Sequence, residues 1–131
     1  MKPAILIIED NRDNTTLLAW ALEDAGYQYF AVDTAEAGLT LLEERPIHLI
    51  LMDISLPGMD GKEATRRLRQ DPRFAAMPII AVTAHAIAEE EQAILACGVD
   101  GIMTKPVNVG DLLELIGSIL RKTDAPLEVM A

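Results

Sequence analysis

Apolar residues along this chain fall into short unbroken runs, separated by longer stretches in which they recur at helical spacing. The runs cover 4–8, 48–52, 78–82 and 101–103, with a weaker one at 27–32. Runs of this length read as strands, and the central ones as strands buried on both faces. The intervening stretches predict helices over 13–25, 35–45, 61–70, 87–96 and 109–121. Punctuation agrees with these limits. Gly26 is placed to end the first helix, Pro46 follows the second, and Asn108 is placed to cap the last, with Asp111 three residues on. Strands and helices in strict alternation predict parallel βαβ units and a sheet covered on both faces. The expected organisation is one folded domain over 1–122 and a short tail over 123–131, with no output domain.

Composition narrows the function classes. The chain has 131 residues, half of them hydrophobic, which is enough to bury a core. Lys and Arg number 11 against 21 Asp and Glu, for a formal net charge of −10. That balance argues against nucleic acid or an anionic membrane as a partner, because phosphate contacts need basic side chains. The single cysteine, Cys97, can form no intramolecular disulfide. The N-terminal apolar run is five residues long and is followed at once by two acids, too short for a signal peptide or a membrane span. A cytoplasmic setting is expected.

The candidate chemistry sits where the apolar runs stop. The first ends at Glu9-Asp10, the third at Asp53, the fourth at Thr83-Ala84 and the fifth at Thr104-Lys105-Pro106. In an open parallel α/β sheet, ligands bind outside the carboxyl ends of the strands. Glu9, Asp10 and Asp53 would therefore be crowded together, and one would hold a proton unless a cation bound. Hard carboxylate oxygens suit Mg²⁺. Lys105 supplies a point charge for an anionic phosphate oxygen, and Thr83 a hydroxyl donor. Carboxylate, divalent metal, lysine and hydroxyl together form a phosphoryl-transfer set. Taken singly, each residue has a plainer reading: acids at a helix N-terminus, a turn Asp, a loop Lys-Pro. The combination, each member at the end of a different strand, is what points to a built site.

At these residues the sequence resembles the receiver domains of two-component response regulators. The resemblance runs from residue 5 to about 120. It is carried by Ile8-Glu9-Asp10-Asn11, by the long segment Met52-Asp53-Ile54-Ser55-Leu56-Pro57-Gly58-Met59-Asp60-Gly61, by Val82-Thr83-Ala84 and by Thr104-Lys105-Pro106. It implies a flavodoxin-like (βα)5 three-layer sandwich with a parallel sheet of order 2-1-3-4-5. It implies Asp53 as phosphoacceptor, taking the group from a phosphohistidine. Asp10, Asp53 and the backbone carbonyl of Ser55 would ligate Mg²⁺, for which Mn²⁺ could substitute, and Glu9 would act mainly through a metal-bound water. Lys105 would contact a phosphate oxygen, with a cis bond to Pro106. Thr83 would move toward the phosphoryl group. Ser55 and His85 stand two residues beyond the acceptor and the Thr, where the family tunes hydrolysis, and Ala84 and Pro106 line the site. The chain would catalyse its own phosphorylation and dephosphorylation, with no separate substrate turned over. One position departs from the family. Receivers commonly place Tyr, Phe or His three residues before the lysine, and here that residue is Ile102. An aliphatic side chain cannot make the same inward-outward swing with a polar tip.

The resemblance also implies protein partners: a histidine kinase or histidine phosphotransfer protein, and a downstream target. At about 100° per residue, Asn14, Leu18, Ala21, Leu22 and Ala25 share one face of the first helix, which should pack on the sheet. Trp20 falls nearly opposite, with Leu17 beside it. In receivers this helix docks on kinases and phosphotransfer proteins, and an exposed Trp is a favoured anchor. The plainer reading is a tryptophan lying flat on the surface. The last helix carries a wide stripe, Leu112, Leu113, Leu115, Ile116, Ile119 and Leu120, mostly core but broad enough for a weak dimer as well as a monomer. Cys97 reads as inert packing, and His48 has no visible partner.

Three other classes compete. A haloacid-dehalogenase-like phosphatase would place a second acid two residues after the nucleophile, where Ser55 stands. A flavin-binding flavodoxin-like module would need a Ser, Thr and Gly-rich phosphate loop after the first strand, where Glu9-Asp10 would repel phosphate. A degenerate receiver serving as scaffold would not keep every acceptor, metal and lysine position filled.

Overall fold

The structure is a computed structural model. It describes residues 2–85 and 87–130, apart from the side chains of 123–130, and the expected tail 123–131 falls on that excepted segment. The elements are β1 (Ala4–Ile8), α1 (Arg12–Asp24), β2 (Gln28–Val32), α2 (Ala35–Glu44), β3 (Leu49–Asp53), α3 (Gly61–Gln70), β4 (Ile79–Thr83), α4 (Ala88–Ala96), β5 (Gly101–Thr104) and α5 (Val109–Met130). Every strand pair is parallel, and the sheet order is β2-β1-β3-β4-β5. This is the flavodoxin-like arrangement that the sequence predicts.

The uninterrupted apolar runs have a direct cause. β1, β3 and β4 are buried at every residue, because helices cover both faces and successive side chains point to opposite ones. Ile5, Ile7, Leu49, Leu51 and Ile80 pack with Leu18, Leu22, Leu112 and Ile116 of α1 and α5. The alternate residues Leu6, Ile8, Ile50, Met52 and Ile79 pack with Ala35, Leu42, Ala64 and Leu68 of α2 and α3. Each such aliphatic side chain contributes about 1.5–3 kcal/mol by leaving water. β2 and β5 are the sheet's edges and are only partly buried, which is why β2 is weak in the sequence.

Two of the predicted strands sit one residue further along. β3 ends at Asp53 and β4 at Thr83, not at the last apolar residue before each. Backbone pairing does not stop with hydropathy: Asp53 still pairs with Val82, and Thr83 with Thr104. These two candidate site residues are thus held by the ladder itself. At the other end of β3, His48 stands outside the strand. Its N–H donates to the Ala4 carbonyl at 2.8 Å, and its Nδ1 accepts from the Ala4 N–H at 2.9 Å. His48 therefore has a structural partner that sequence alone did not reveal.

The helix ends follow local rules. Asn11 caps α1 by accepting from the Asn14 N–H, and Gly26 closes it at φ +89. The Gly26 N–H donates to Glu23 and the Tyr27 N–H to Leu22, a Schellman pair that requires the left-handed residue. Leu18, Ala21 and Leu22 are buried as expected, but Ala25 is exposed: it keeps helical backbone and bonds its N–H to the Ala21 carbonyl, yet stands past the last residue of α1. The Asn108 side chain accepts from the Asp111 N–H at 2.9 Å, the predicted cap of α5. Of the α5 stripe, Leu112 and Ile116 are fully buried, and Leu113, Leu115, Ile119 and Leu120 pack partly buried around them.

At the amino ends of β4 and β5, Arg69 forms a clamp. Its guanidinium donates to the Gly98 carbonyl at 2.8 Å, the Phe74 carbonyl at 3.1 Å and Asp100 Oδ2 at 3.0 Å. The same Asp100 oxygen accepts from the Ile79 N–H at 2.8 Å. α3, β4 and the C-terminal end of α4 are fastened there, at the rim away from the carboxyl ends of the strands.

Candidate functional site

β1 and β3 are adjacent, so their carboxyl ends bring Glu9, Asp10 and Asp53 together. One carboxylate oxygen from each lies within 4.8 Å of the others. Two oxygens on opposite sides of one Mg²⁺ stand about 4.2 Å apart, so small side-chain adjustments suffice for the three to share an ion. Glu9 and Asp53 are buried, at 3% and 2% exposure, and Asp10 is exposed. A cleft of about 520 Å³ opens on the Asp10 side, between the start of α1 and the β2–α2 connection, with Glu9 and Asp10 in its lining.

Lys105 reaches the same cluster from the end of β5. Its Nζ is 3.2 Å from Glu9 Oε1 and 3.3 Å from Asp53 Oδ1. The Lys105–Pro106 bond is cis, as the resemblance implies. Burial pushes the Glu9 carboxyl above the usual carboxylate range, and neighbouring Asp53 adds to the shift, while the Asn11 N–H and Lys105 pull it back. Burial alone would lower the Lys105 ammonium. The Asp53 and Glu9 charges and their hydrogen bonds outweigh it and raise its pKa above the ordinary value. The crowding inferred from sequence is therefore present, and a cation relieves it.

The remaining predicted residues surround this core. Ser55 is exposed, and its N–H donates to Asp53 Oδ1 at 3.1 Å, holding the carboxylate in orientation. Thr83 is fully buried, and its Oγ1 accepts from the His85 N–H at 3.1 Å. The hydroxyl proton is left free to donate elsewhere. Ala84, His85 and Pro106 are exposed at the rim. Ile102 packs with Ile54, Ala81 and Ile94, an aliphatic plug in place of an aromatic swing. Trp20 is 62% exposed and Leu17 is 41% exposed on the outer side of α1. Leu17 also lines a small apolar pocket with Leu18, Pro106 and Val107, beside Lys105.

Three contributors were not singled out from sequence. The Asn11 N–H donates to Glu9 Oε2 at 3.0 Å, and Asn14 Nδ2 approaches Glu9 Oε1 at 3.5 Å. An Asn between the acids and a helix start is a capping signal, and it could have been read as one. Gly61 donates its N–H to the Ile54 carbonyl at 3.1 Å, and a Cβ there would stand 2.9 Å from Ile54 Cα and run into the Asp53 carbonyl. The glycine lets α3 begin directly against the backbone that carries Asp53.

Comparison with known proteins agrees with this geometry. Residues 5–117 match the family model described as response regulator receiver domain. The sensor histidine kinase GacS of Pseudomonas protegens is 38% identical over 117 residues, which cover 87% of this chain and 13% of that much longer protein. The polar-differentiation response regulator DivK of Brucella ovis is 36% identical over 120 residues, covering 92% of this chain and 98% of DivK. Among solved structures, the receiver domain of sensor histidine kinase PA1611 from Pseudomonas aeruginosa, with a magnesium ion in its active-site cleft, superposes with a TM-score of 0.85 at 30% identity. It covers 92% of this chain and 98% of that one.

Proposed function

Because the chain belongs to the family of response regulator receiver domains, we propose that it accepts a phosphoryl group onto Asp53 from a histidine kinase or a histidine phosphotransfer protein. The observation that carries this reading is the Asp53 carboxylate, held at the end of β3 between Lys105 and two further acids. An Asp53 oxygen attacks the phosphorus of a phosphohistidine, and the phosphorus–nitrogen bond breaks as the new phosphorus–oxygen bond forms. Lys105, freed from bridging Glu9 and Asp53, turns to a phosphoryl oxygen. The Ser55 N–H keeps the acceptor in line, and the Thr83 hydroxyl is available to donate to the group once it is in place.

Glu9, Asp10, Asp53 and the carbonyl of Ser55 would hold Mg²⁺, or Mn²⁺ in its place. When bound, the ion neutralises charge that develops on the transferring group. The PA1611 receiver carries magnesium in its cleft, and the donors here are the hard oxygens that ion prefers. The output would be a shift in the surface formed by the β4–α4 connection and α4, read by a protein target. With Ile102 fixed in the apolar plug, that shift runs through Thr83 and the backbone of its loop, without an aromatic swing. Trp20 and Leu17 would anchor the phosphodonor on α1.

The test is labelling by acetyl phosphate with Mg²⁺. Wild type should gain one phosphoryl group and Asp53→Asn none. Equal labelling of the two would refute the assignment.

A further inference from the structure

β2 has one side unpaired. The sheet ends there, and among the described residues no strand lies beyond it. The Gln28 N–H donates to the Pro3 carbonyl, and the Val32 carbonyl accepts from the Glu9 N–H, both at 3.0 Å. Residues 28 and 32 therefore face β1, and by alternation so does Phe30, while the N–H and carbonyl of Tyr29 and Ala31 point away from the sheet. Proteins usually blunt such an edge with a bulge, a Pro, a Lys or a covering element. Gln28-Tyr29-Phe30-Ala31-Val32 carries no Pro and no charge, Ala31 is exposed, and the register with β1 is unbroken.

A groove of about 430 Å³ lies beside this edge, between it and α1. Ala19, Trp20, Tyr29 and Ala31 line its middle. It shares Thr15, Thr16 and Ala31 with the cleft beside Asp10, so the two form one continuous trough. α1 runs back along the sheet from the end of β1 to the start of β2. Glu23 accordingly stands at one end of the trough, and Asp10 and Asp33 at the other. Arg12 is the one cation among the described residues that line it, against four acids, Glu9, Asp10, Glu23 and Asp33. The opposite face of β2 has the other sign, with the Arg45 guanidinium 5.1 Å from the Phe30 ring centre.

We propose that the β2 edge and this trough take an extended, basic segment of a partner protein, added to the sheet as a further strand. Its backbone pairs with the outward N–H and carbonyl groups of Tyr29 and Ala31. Its alternate side chains face the trough. An apolar one rests against Trp20 and Tyr29, and a Lys or Arg two residues to either side reaches Glu23 at one end and Asp10 and Asp33 at the other. Two such cations stand about 13 Å apart, the length of strand from Tyr29 to Asp33. A second copy of this chain fits worse, because joining two β2 edges brings both sets of acids together in chains of net charge −10. The surface lies apart from Asp53, and its test needs no phosphoryl group.

The probe is a blocked heptapeptide, Thr-Lys-Thr-Val-Thr-Lys-Thr, which presents Lys, Val and Lys on one face in either chain direction. Amide hydrogen exchange is followed residue by residue in the full chain. Without peptide, Tyr29 and Ala31 should exchange much faster than Phe30 and Val32. Millimolar peptide should slow Tyr29 and Ala31 selectively, and the same peptide with Glu for Lys should not. Ala31→Lys, which puts a cation in the middle of the trough, should abolish the protection, and Glu23→Lys should weaken peptide binding about tenfold. Glu23 is exposed on α1, so E23K keeps the test decisive if A31K folds poorly. Exchange at Tyr29 and Ala31 unchanged by the Lys peptide would overturn the proposal, as would equal protection by the Glu peptide or protection that survives Glu23→Lys. A dimeric mass by light scattering, with Tyr29 and Ala31 already protected in the free protein, would overturn it in favour of a second copy at this edge.

Discussion

Replacing Lys105 with Met removes the cation that bridges two carboxylates buried to within 3% of full exclusion from solvent. Breaking a buried ion pair costs roughly 3–5 kcal/mol, because the partner charge is left uncompensated. The Lys105 side chain is 21% exposed, so solvent screens part of the interaction and the lower figure, about 3 kcal/mol, applies. At about 3–5 °C per kcal/mol for a domain of this size, K105M should melt about 10 °C below wild type in chelator at neutral pH. The sign with pH follows from the direction of each shift. The Lys105 pKa is raised, so its stabilisation is fully present below the ordinary lysine value of 10.5 and is lost only as pH climbs through the higher folded value. Neutral pH lies inside that window. The Glu9 pKa is also raised, so its contribution is present below 4.5 and is lost as pH rises through the folded value. Above that point the ionised cluster needs its cation, and below it the deficit of K105M should shrink. Mg²⁺ should shrink it too, by neutralising the same carboxylates. Melting curves of both proteins across pH, with chelator and with Mg²⁺, check all three statements. A melting temperature within about 2 °C of wild type at neutral pH in chelator would refute the reasoning.

Other consequences are as specific. Mg²⁺ should raise the wild-type melting temperature at neutral pH and lose that effect in mild acid, because burial makes Glu9 take up a proton at higher pH than an ordinary glutamate; calorimetric scans at the two pH values decide it. Gly61→Ala should cost about 1–3 kcal/mol by forcing α3 off the Asp53 backbone, and should slow acetyl phosphate labelling with it. Arg69→Ala should cost about 3 kcal/mol in urea unfolding through its lost charged hydrogen bonds, yet leave the labelling rate intact, since the clamp is at the far rim. Trp20→Ala should leave stability within about 0.5 kcal/mol, while phosphotransfer from a cognate donor falls about tenfold if the side chain anchors docking.

The order of elements was legible because hydropathy and burial coincide in β1, β3 and β4. It blurred at the edges, where β2 and β5 bury only part of their surface. The site was legible for a related reason: the same strands deliver Glu9, Asp53 and Thr83 to one rim, and polar residues that end apolar runs stand out. Strand limits were missed by one residue because Asp53 and Thr83 pair as backbone although their side chains are polar. The missed elements depend on tertiary distance. Nothing local marks Arg69 as the partner of Gly98 and Asp100, His48 as the acceptor for Ala4, or Lys62 as the partner of Glu90. On α3, Lys62, Arg66 and Arg69 read alike as solvated charges, and only the packing of α4 against them separates their roles. Ala25 was misread because sharing a helix face with Leu18 and Ala21 does not bury a residue at the very end of the helix.

The account rests on Asp53 being the residue that takes the phosphoryl group, with a divalent ion in place. The direct measurement is to treat wild type with acetyl phosphate, in Mg²⁺ and in chelator, reduce the acyl phosphate with borohydride and locate the product by fragment mass. Conversion confined to Asp53 and dependent on Mg²⁺ is the predicted result. Conversion at Glu9, Asp10 or a residue outside the cluster, or equal conversion in chelator, would contradict it.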